Sequence, residues 1–182
     1  MIPQMLPCET VARQYCRANC MIACLTRMAA QVGSTNLMNQ VTGAMDQKLS
    51  GVKGAGILSP VGSKFSMFVG HDENISAISA FLGVLNWQAD GFQPNDPGPT
   101  GALVFELHKV KFTGEHIVRL FYVIPTLNQM RNGTALTLDT PPQRLPLSIP
   151  ACGGLYDCPY DQFKFFIASH IRQDCLILAP TP

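Results

Sequence analysis

The chain has 182 residues, enough for a buried core, and 47% are hydrophobic against 14% charged, a balance that excludes a disordered polymer. Thirteen Lys and Arg against twelve Asp and Glu leave a formal charge of +1, with no basic stripe to track nucleic-acid phosphates. No run approaches the ~20 apolar residues that cross a bilayer, so neither nucleic acid nor membrane is expected as a partner.

The first 28 residues stand apart from the rest. Met21 to Leu25 is a short apolar piece without a long hydrophobic stretch behind a basic start, so no signal peptide is expected in this chain. Cys8, Cys16, Cys20 and Cys24 crowd this segment, and the last three recur every fourth position, as they would along one helix face. Structural zinc usually needs turn-forming spacers between paired cysteines, so this spacing is a poor template and no metal is expected. Residues 1–28 are therefore set aside as an atypical N-terminal segment, and residues 29–182 are treated as the folded domain.

From about Asn36 to Leu49, the residues Leu37, Val41, Met45 and Leu49 recur every fourth position behind Ser34 and Thr35. The spacing predicts an amphipathic helix with a hydroxyl at its cap. Glycines 51, 54 and 56 and Pro60 break it, and Lys64 to Gly70 then reads as a short buried strand. A second helix follows at once, with Ile75, Ile78, Leu82 and Leu85 as its apolar face and Asp72, Glu73 and Asn74 at its start.

Asp90 to Gly101 holds three prolines and three glycines and reads as a loop. Ala102–Leu107 and Ile117–Val123 flank a turn at Thr113-Gly114, predicting a hairpin. A short helix is expected at Leu127 to Arg131, then an extended stretch through Pro150. Tyr160, Phe163, Phe166, Ile167 and Ile171 give a last helix behind Pro159. Helices alternating with strands make the fold class α/β. Cys152 and Cys158 enclose a glycine-rich turn; a small disulfide loop is expected there, two free thiols being the alternative.

Gly70-His71-Asp72-Glu73-Asn74 is the segment most suggestive of chemistry, because it lies where a strand hands over to a helix N-terminus. Unpaired N–H groups and the positive end of the helix dipole favour an anion there. His71 can donate to phosphate oxygens, and Asp72 can give a proton to a departing alcohol. The plain alternative is that Asp72 only caps the helix.

Several separated stretches then resemble the histidine acid phosphatases, in the group of bacterial phytases and glucose-1-phosphatases. Phe68-Val69-Gly70-His71-Asp72-Glu73-Asn74-Ile75 is similar to the family's His-Asp signature. Asn86-Trp87, Gln93 through Glu106, Leu127-Asn128-Gln129-Met130-Arg131, Leu136-Thr137-Leu138 and the Cys152 to Cys158 loop continue the likeness in order. It covers roughly Ala30 to the end and implies the C-terminal part of a histidine-phosphatase α/β sandwich domain.

The resemblance implies His71 and Asp72 as catalytic residues, Asp72 being the general acid and His71 also holding the phosphoryl oxygens. Asn74 would orient the turn or the substrate. It implies a phosphate monoester or inorganic phosphate as ligand, no cofactor, and a periplasmic or secreted setting. Family members attack phosphorus with a histidine in an Arg-His-Gly motif, yet none of the four histidines here, His71, His108, His116 and His170, is followed by glycine. The helical insertion that walls the family's cleft is likewise absent. The expectation is the acid half of a phosphomonoesterase site that is inactive by itself. A non-catalytic truncated remnant, or a weak phosphate-binding protein, is the alternative, and truncation or a frame shift would explain residues 1–28. With the early strands missing, an exposed sheet edge would favour oligomers. Cys175 is expected as an unpaired thiol unless it meets an N-terminal cysteine.

Overall fold

The structure is a computed structural model and describes residues 27–177. These divide into two compact units. One comprises the described residues up to Phe81 together with those from Lys164 onward, and the other is Leu82–Phe163.

In the first unit α1 spans Arg27–Ser50 and α2 spans Asp72–Leu82. The helix expected from Asn36 begins earlier, and Ser34 and Thr35 lie within it, fully buried, instead of capping it. The Thr35 hydroxyl donates to the Gln31 carbonyl at 2.6 Å, the way a hydroxyl in a helix satisfies itself locally. Nor is the buried stripe the one the apolar spacing predicts. Ala30, Ser34, Met38, Thr42 and Met45 are buried, whereas Leu49 is 40% exposed.

The loop that follows is held to α1 by polar contacts. Gln47 donates to the Ser59 carbonyl at 2.8 Å and accepts from the Gly54 N–H at 2.8 Å. Gln40 donates to the Gly56 carbonyl at 2.7 Å and accepts from the Leu58 N–H at 2.7 Å. Each glutamine thus satisfies one backbone donor and one acceptor of a glycine-rich loop, and the Ile57 side chain packs against α1 at Gly43. Only Ile57 and Ser59 of that loop are buried.

Lys64–Gly70 departs most from expectation. It forms no strand, and every residue in it is exposed. Phe65 is 79%, Met67 71% and Val69 88% accessible. A β-prone run becomes a strand only when a neighbour pairs its backbone, and among the described residues nothing pairs this one. The following α2 forms, burying Ala77, Ile78, Phe81 and Leu82, but it stops at Gly83, whose positive φ of 70° suits glycine, so Leu85, expected on its apolar face, lies beyond it and is 37% exposed. Near the C-terminus, the Asn36 amide donates to the Cys175 carbonyl at 2.9 Å, and its oxygen accepts from the Ile177 N–H at 2.7 Å. Cys175 is disulfide-bonded, the alternative left open in the sequence beside an unpaired thiol.

The second unit is built on an antiparallel sheet. β1 (Ala102–Lys109) pairs with β2 (His116–Ile124), β2 pairs with β3 (Gln143–Leu147), and the short β4 (Cys158–Pro159) also pairs with β2. The predicted hairpin is present, with Ala102 opposite Val123 and Lys109 opposite His116. Along β2, Val118, Leu120, Tyr122 and Ile124 are buried while the residues between them are half-buried, the period of two that a one-sided sheet requires. Each such aliphatic side chain contributes roughly 1.5–3 kcal/mol.

α3 (Leu127–Asn132) carries a capping box: the Gln129 N–H donates to the Thr126 hydroxyl, and the Gln129 side chain accepts from the Thr126 N–H. Trp87 is 4% exposed, with its ring 3.9 Å from that of Tyr122, beneath the loop that Asn95 fastens to the Trp87 backbone. Burial pushes the Tyr122 phenol up to about 12. Cys152 and Cys158 are joined in a disulfide with Cα atoms 5.4 Å apart. Pro159 immediately precedes α4 (Tyr160–His170), where Tyr160, Phe163 and Ile167 are buried. Helices together with this sheet make the fold α/β. Among the described residues no helix is long and apolar enough to cross a membrane.

Candidate functional site

Gly70 to Asn74 form the turn into α2. The Asn74 side-chain oxygen accepts from the His71 N–H at 2.9 Å, and the Asn74 N–H donates to the His71 carbonyl at 3.0 Å. Asn74 is therefore turned back onto the turn and fixes the backbone that carries His71. Gly70 makes room for this: a Cβ there would stand 2.4 Å from the Asn74 oxygen, well inside contact distance. His71, Asp72 and Glu73 are exposed, and Asp72 is the first residue of the helix.

The arrangement gives an open corner. Two adjacent side chains, an imidazole and a carboxylate, project beside the positive end of an 11-residue helix. Glu73 adds a second carboxylate in the same turn, which opposes anion binding. The other histidines are elsewhere. His108 contacts Glu106 at 3.0 Å on β1, His116 begins β2, and His170 stacks on Phe166 at 4.1 Å.

A polar cluster on the sheet carried no signal in the sequence, because its members are far apart in the chain. Arg119 grips Asp157 through two hydrogen bonds of 2.6 and 2.9 Å, and that hydrogen bonding holds the Asp157 carboxyl below the usual range. Arg144 donates to Glu106 at 2.8 Å and lies 3.7 Å over the Phe121 ring. Burial pushes the Glu106 carboxyl up, but the hydrogen bonds from Arg144 and His108 outweigh it and the net shift is downward. A depression of about 320 Å3 lined by Arg119, Phe121, Tyr156 and Asp157 sits on this surface. Its arginine is already committed to Asp157, so it offers no unpaired cation to a ligand.

Among the described residues no group of three His, Cys, Asp or Glu side chains could hold a metal. Cys8, Cys16, Cys20 and Cys24 lie outside the described residues.

No protein-family model matches the chain. Among curated proteins it is similar to the phytase AppA of Escherichia coli (strain K12), with 31% identity over 127 residues, covering 70% of this chain and 28% of that protein. A glucose-1-phosphatase of Providencia rettgeri is 33% identical over 101 residues, covering 55% of this chain and 22% of that enzyme. Among solved structures, the Hafnia alvei phytase in complex with myo-inositol hexakis sulphate matches with a TM-score of 0.67 and 30% identity, over 84% of this chain and 38% of that one. The phytase of Citrobacter braakii matches with a TM-score of 0.69 and 26% identity, again over 84% of this chain. The chain thus spans between about a fifth and two fifths of the length of these relatives. Sequence and fold thus agree on one group of enzymes: the chain is similar to the C-terminal part of the histidine acid phosphatases.

Proposed function

We propose that this chain carries the acid-supplying half of a phosphomonoesterase site, with His71 and Asp72 as its working residues. The observation behind the reading is the exposed His71-Asp72 corner at the N-terminus of α2, in a chain whose relatives are phytases and glucose-1-phosphatases. His71 donates to a phosphoryl oxygen while the first N–H groups of α2 add their partial charge. Asp72, protonated, passes its proton to the bridging oxygen as the P–O bond breaks, so the alcohol departs neutral. Asn74 serves as a positioning residue through its bond to the His71 backbone.

The nucleophile is the part this chain lacks. No histidine here is followed by glycine, so the family's attacking Arg-His-Gly motif is not present. Without a group to attack phosphorus, the acid has no departing oxygen to protonate. The chain alone therefore binds phosphate and does not turn it over. In this reading residues 29–182 correspond to the C-terminal part of the family's domain, and residues 1–28 are a segment of separate character. A periplasmic or secreted location fits the Cys152–Cys158 disulfide, since such bonds persist in oxidising compartments.

Phosphate binding tests this directly. Calorimetric titration with inorganic phosphate at mildly acid pH is expected to give a dissociation constant on the order of 1 mM, as a few charge-assisted bonds allow. The H71A variant is expected to lose that binding. Undiminished binding in H71A would remove the corner from the account.

A further inference from the structure

We propose that Glu73 is a specificity-determining residue of the corner: it disfavours anions in proportion to their charge and so selects substrates that bear a single phosphoryl group. This role rests on His71 and Asp72 forming the phosphate corner. Glu73 directly follows Asp72 in the first turn of α2 and is exposed. The His71 N–H donates to the Asn74 side-chain oxygen at 2.9 Å, and the Asn74 N–H donates to the His71 carbonyl at 3.0 Å. These two bonds close a ring around Asp72 and Glu73, so the backbone of Glu73 is fixed with respect to the corner. Glu73 takes no part in the proton transfer assigned to Asp72, and among the described residues it forms no ion pair.

Its carboxylate has two opposed effects. Near a helix N-terminus the charge stabilises α2 through the dipole. Towards a bound anion the same charge repels, and the repulsion grows with every charge the anion carries. Hydrogen bonds from His71 and the first N–H groups, by contrast, reach only the phosphoryl group seated on them. At roughly 7 Å in water and low salt, one carboxylate weakens binding about threefold for each ligand charge it faces. A singly charged phosphate therefore loses little. A ligand with several phosphates loses that factor several times over, until screening removes the charges beyond a Debye length. Three cations of the same unit are engaged elsewhere: Lys53 donates to the Ile57 and Ser59 carbonyls, Lys164 pairs with Asp46, and Arg172 pairs with Asp174. Because charge–charge contributions sum, the share of Glu73 adds to that of any other group bordering the corner.

Calorimetric titration of the full chain with inorganic phosphate and with tripolyphosphate, at mildly acid pH and low salt, tests this. E73Q is expected to tighten phosphate about threefold and tripolyphosphate about tenfold or more. E73D keeps the charge and is expected to stay within about twofold of the parent for both ligands. Raising the salt to about 0.5 M should shrink the gain of E73Q on tripolyphosphate towards its gain on phosphate, as screening demands. Urea unfolding of E73Q reads its effect on α2 itself; a role confined to the helix would change stability without separating the two ligands. No phosphate binding by the parent, or binding that survives in H71A, would remove the corner and the role of Glu73 with it. Binding lost in H71A, together with equal gains or none on the two ligands in E73Q, would overturn the role of Glu73 alone, as would an E73D variant that behaves like E73Q.

Discussion

β2 and Lys64–Gly70 are both short runs of aromatic and aliphatic residues, and they meet opposite fates. β2 is hydrogen-bonded on both sides, by β1 on one and by β3 and β4 on the other, and four of its nine residues are buried. Lys64–Gly70 has no strand partner among the described residues, although the Ser59 hydroxyl meets that of Ser66, and its side chains are exposed. Propensity nominates both as strands, but only pairing makes one. The difference also reaches the candidate site, because the unpaired run leads straight into His71 and Asp72 and leaves that corner open.

Truncating matched side chains in the two runs is the widest test of the contrast. Leu120 is 1% exposed, so L120A is expected to cost about 3 kcal/mol through lost burial and a cavity. F65A is expected to stay within about 0.5 kcal/mol of the parent. Urea unfolding checks both; comparable losses would erase the distinction. Next in size is the loop bound by Cys152–Cys158. Replacing both cysteines by serine is expected to cost about 2 kcal/mol, since a loop this short removes little chain entropy. Thermal melts in the presence and absence of reductant give the comparison.

A smaller effect is expected at the corner itself. G70A places a methyl where the Asn74 oxygen now sits, so the bond to the His71 N–H should break at a cost of about 1 kcal/mol, with weaker phosphate binding. The amide resonance of His71 should shift accordingly, and an unmoved resonance would contradict the role given to Asn74. Smallest is the pH effect of Asp157. Its carboxyl is held below the ordinary range by Arg119, so its stabilisation is present above the ordinary carboxylate pKa and fades as pH falls through the depressed folded value. D157N should flatten that part of the acid unfolding curve, by little, because the pair is half exposed.

The hairpin from Ala102 to Ile124 was legible because both runs and the turn between them are local. The last helix was legible because its face repeats at helical spacing. The buried face of α1 was not, since it takes in Ser34, Thr35 and Thr42 and leaves Leu49 exposed, and the bonds by which Gln40 and Gln47 reach backbone 12 to 18 residues away leave no trace in hydrophobic spacing. Lys64–Gly70 misled because local composition is blind to a missing neighbour. At the site, the chemistry of His71 and Asp72 and their place at a helix start could be read from five consecutive residues. The Arg119–Asp157 and Arg144–Glu106 pairs each join residues 38 apart and needed coordinates.

Turnover by the purified chain tests the central claim most directly. With a chromogenic phosphate monoester at acid pH, a chain holding the acid but no attacking histidine is expected to release no more chromophore than buffer does. Steady hydrolysis that vanishes in H71A or D72N would contradict it, because a working nucleophile would then have to lie within these 182 residues.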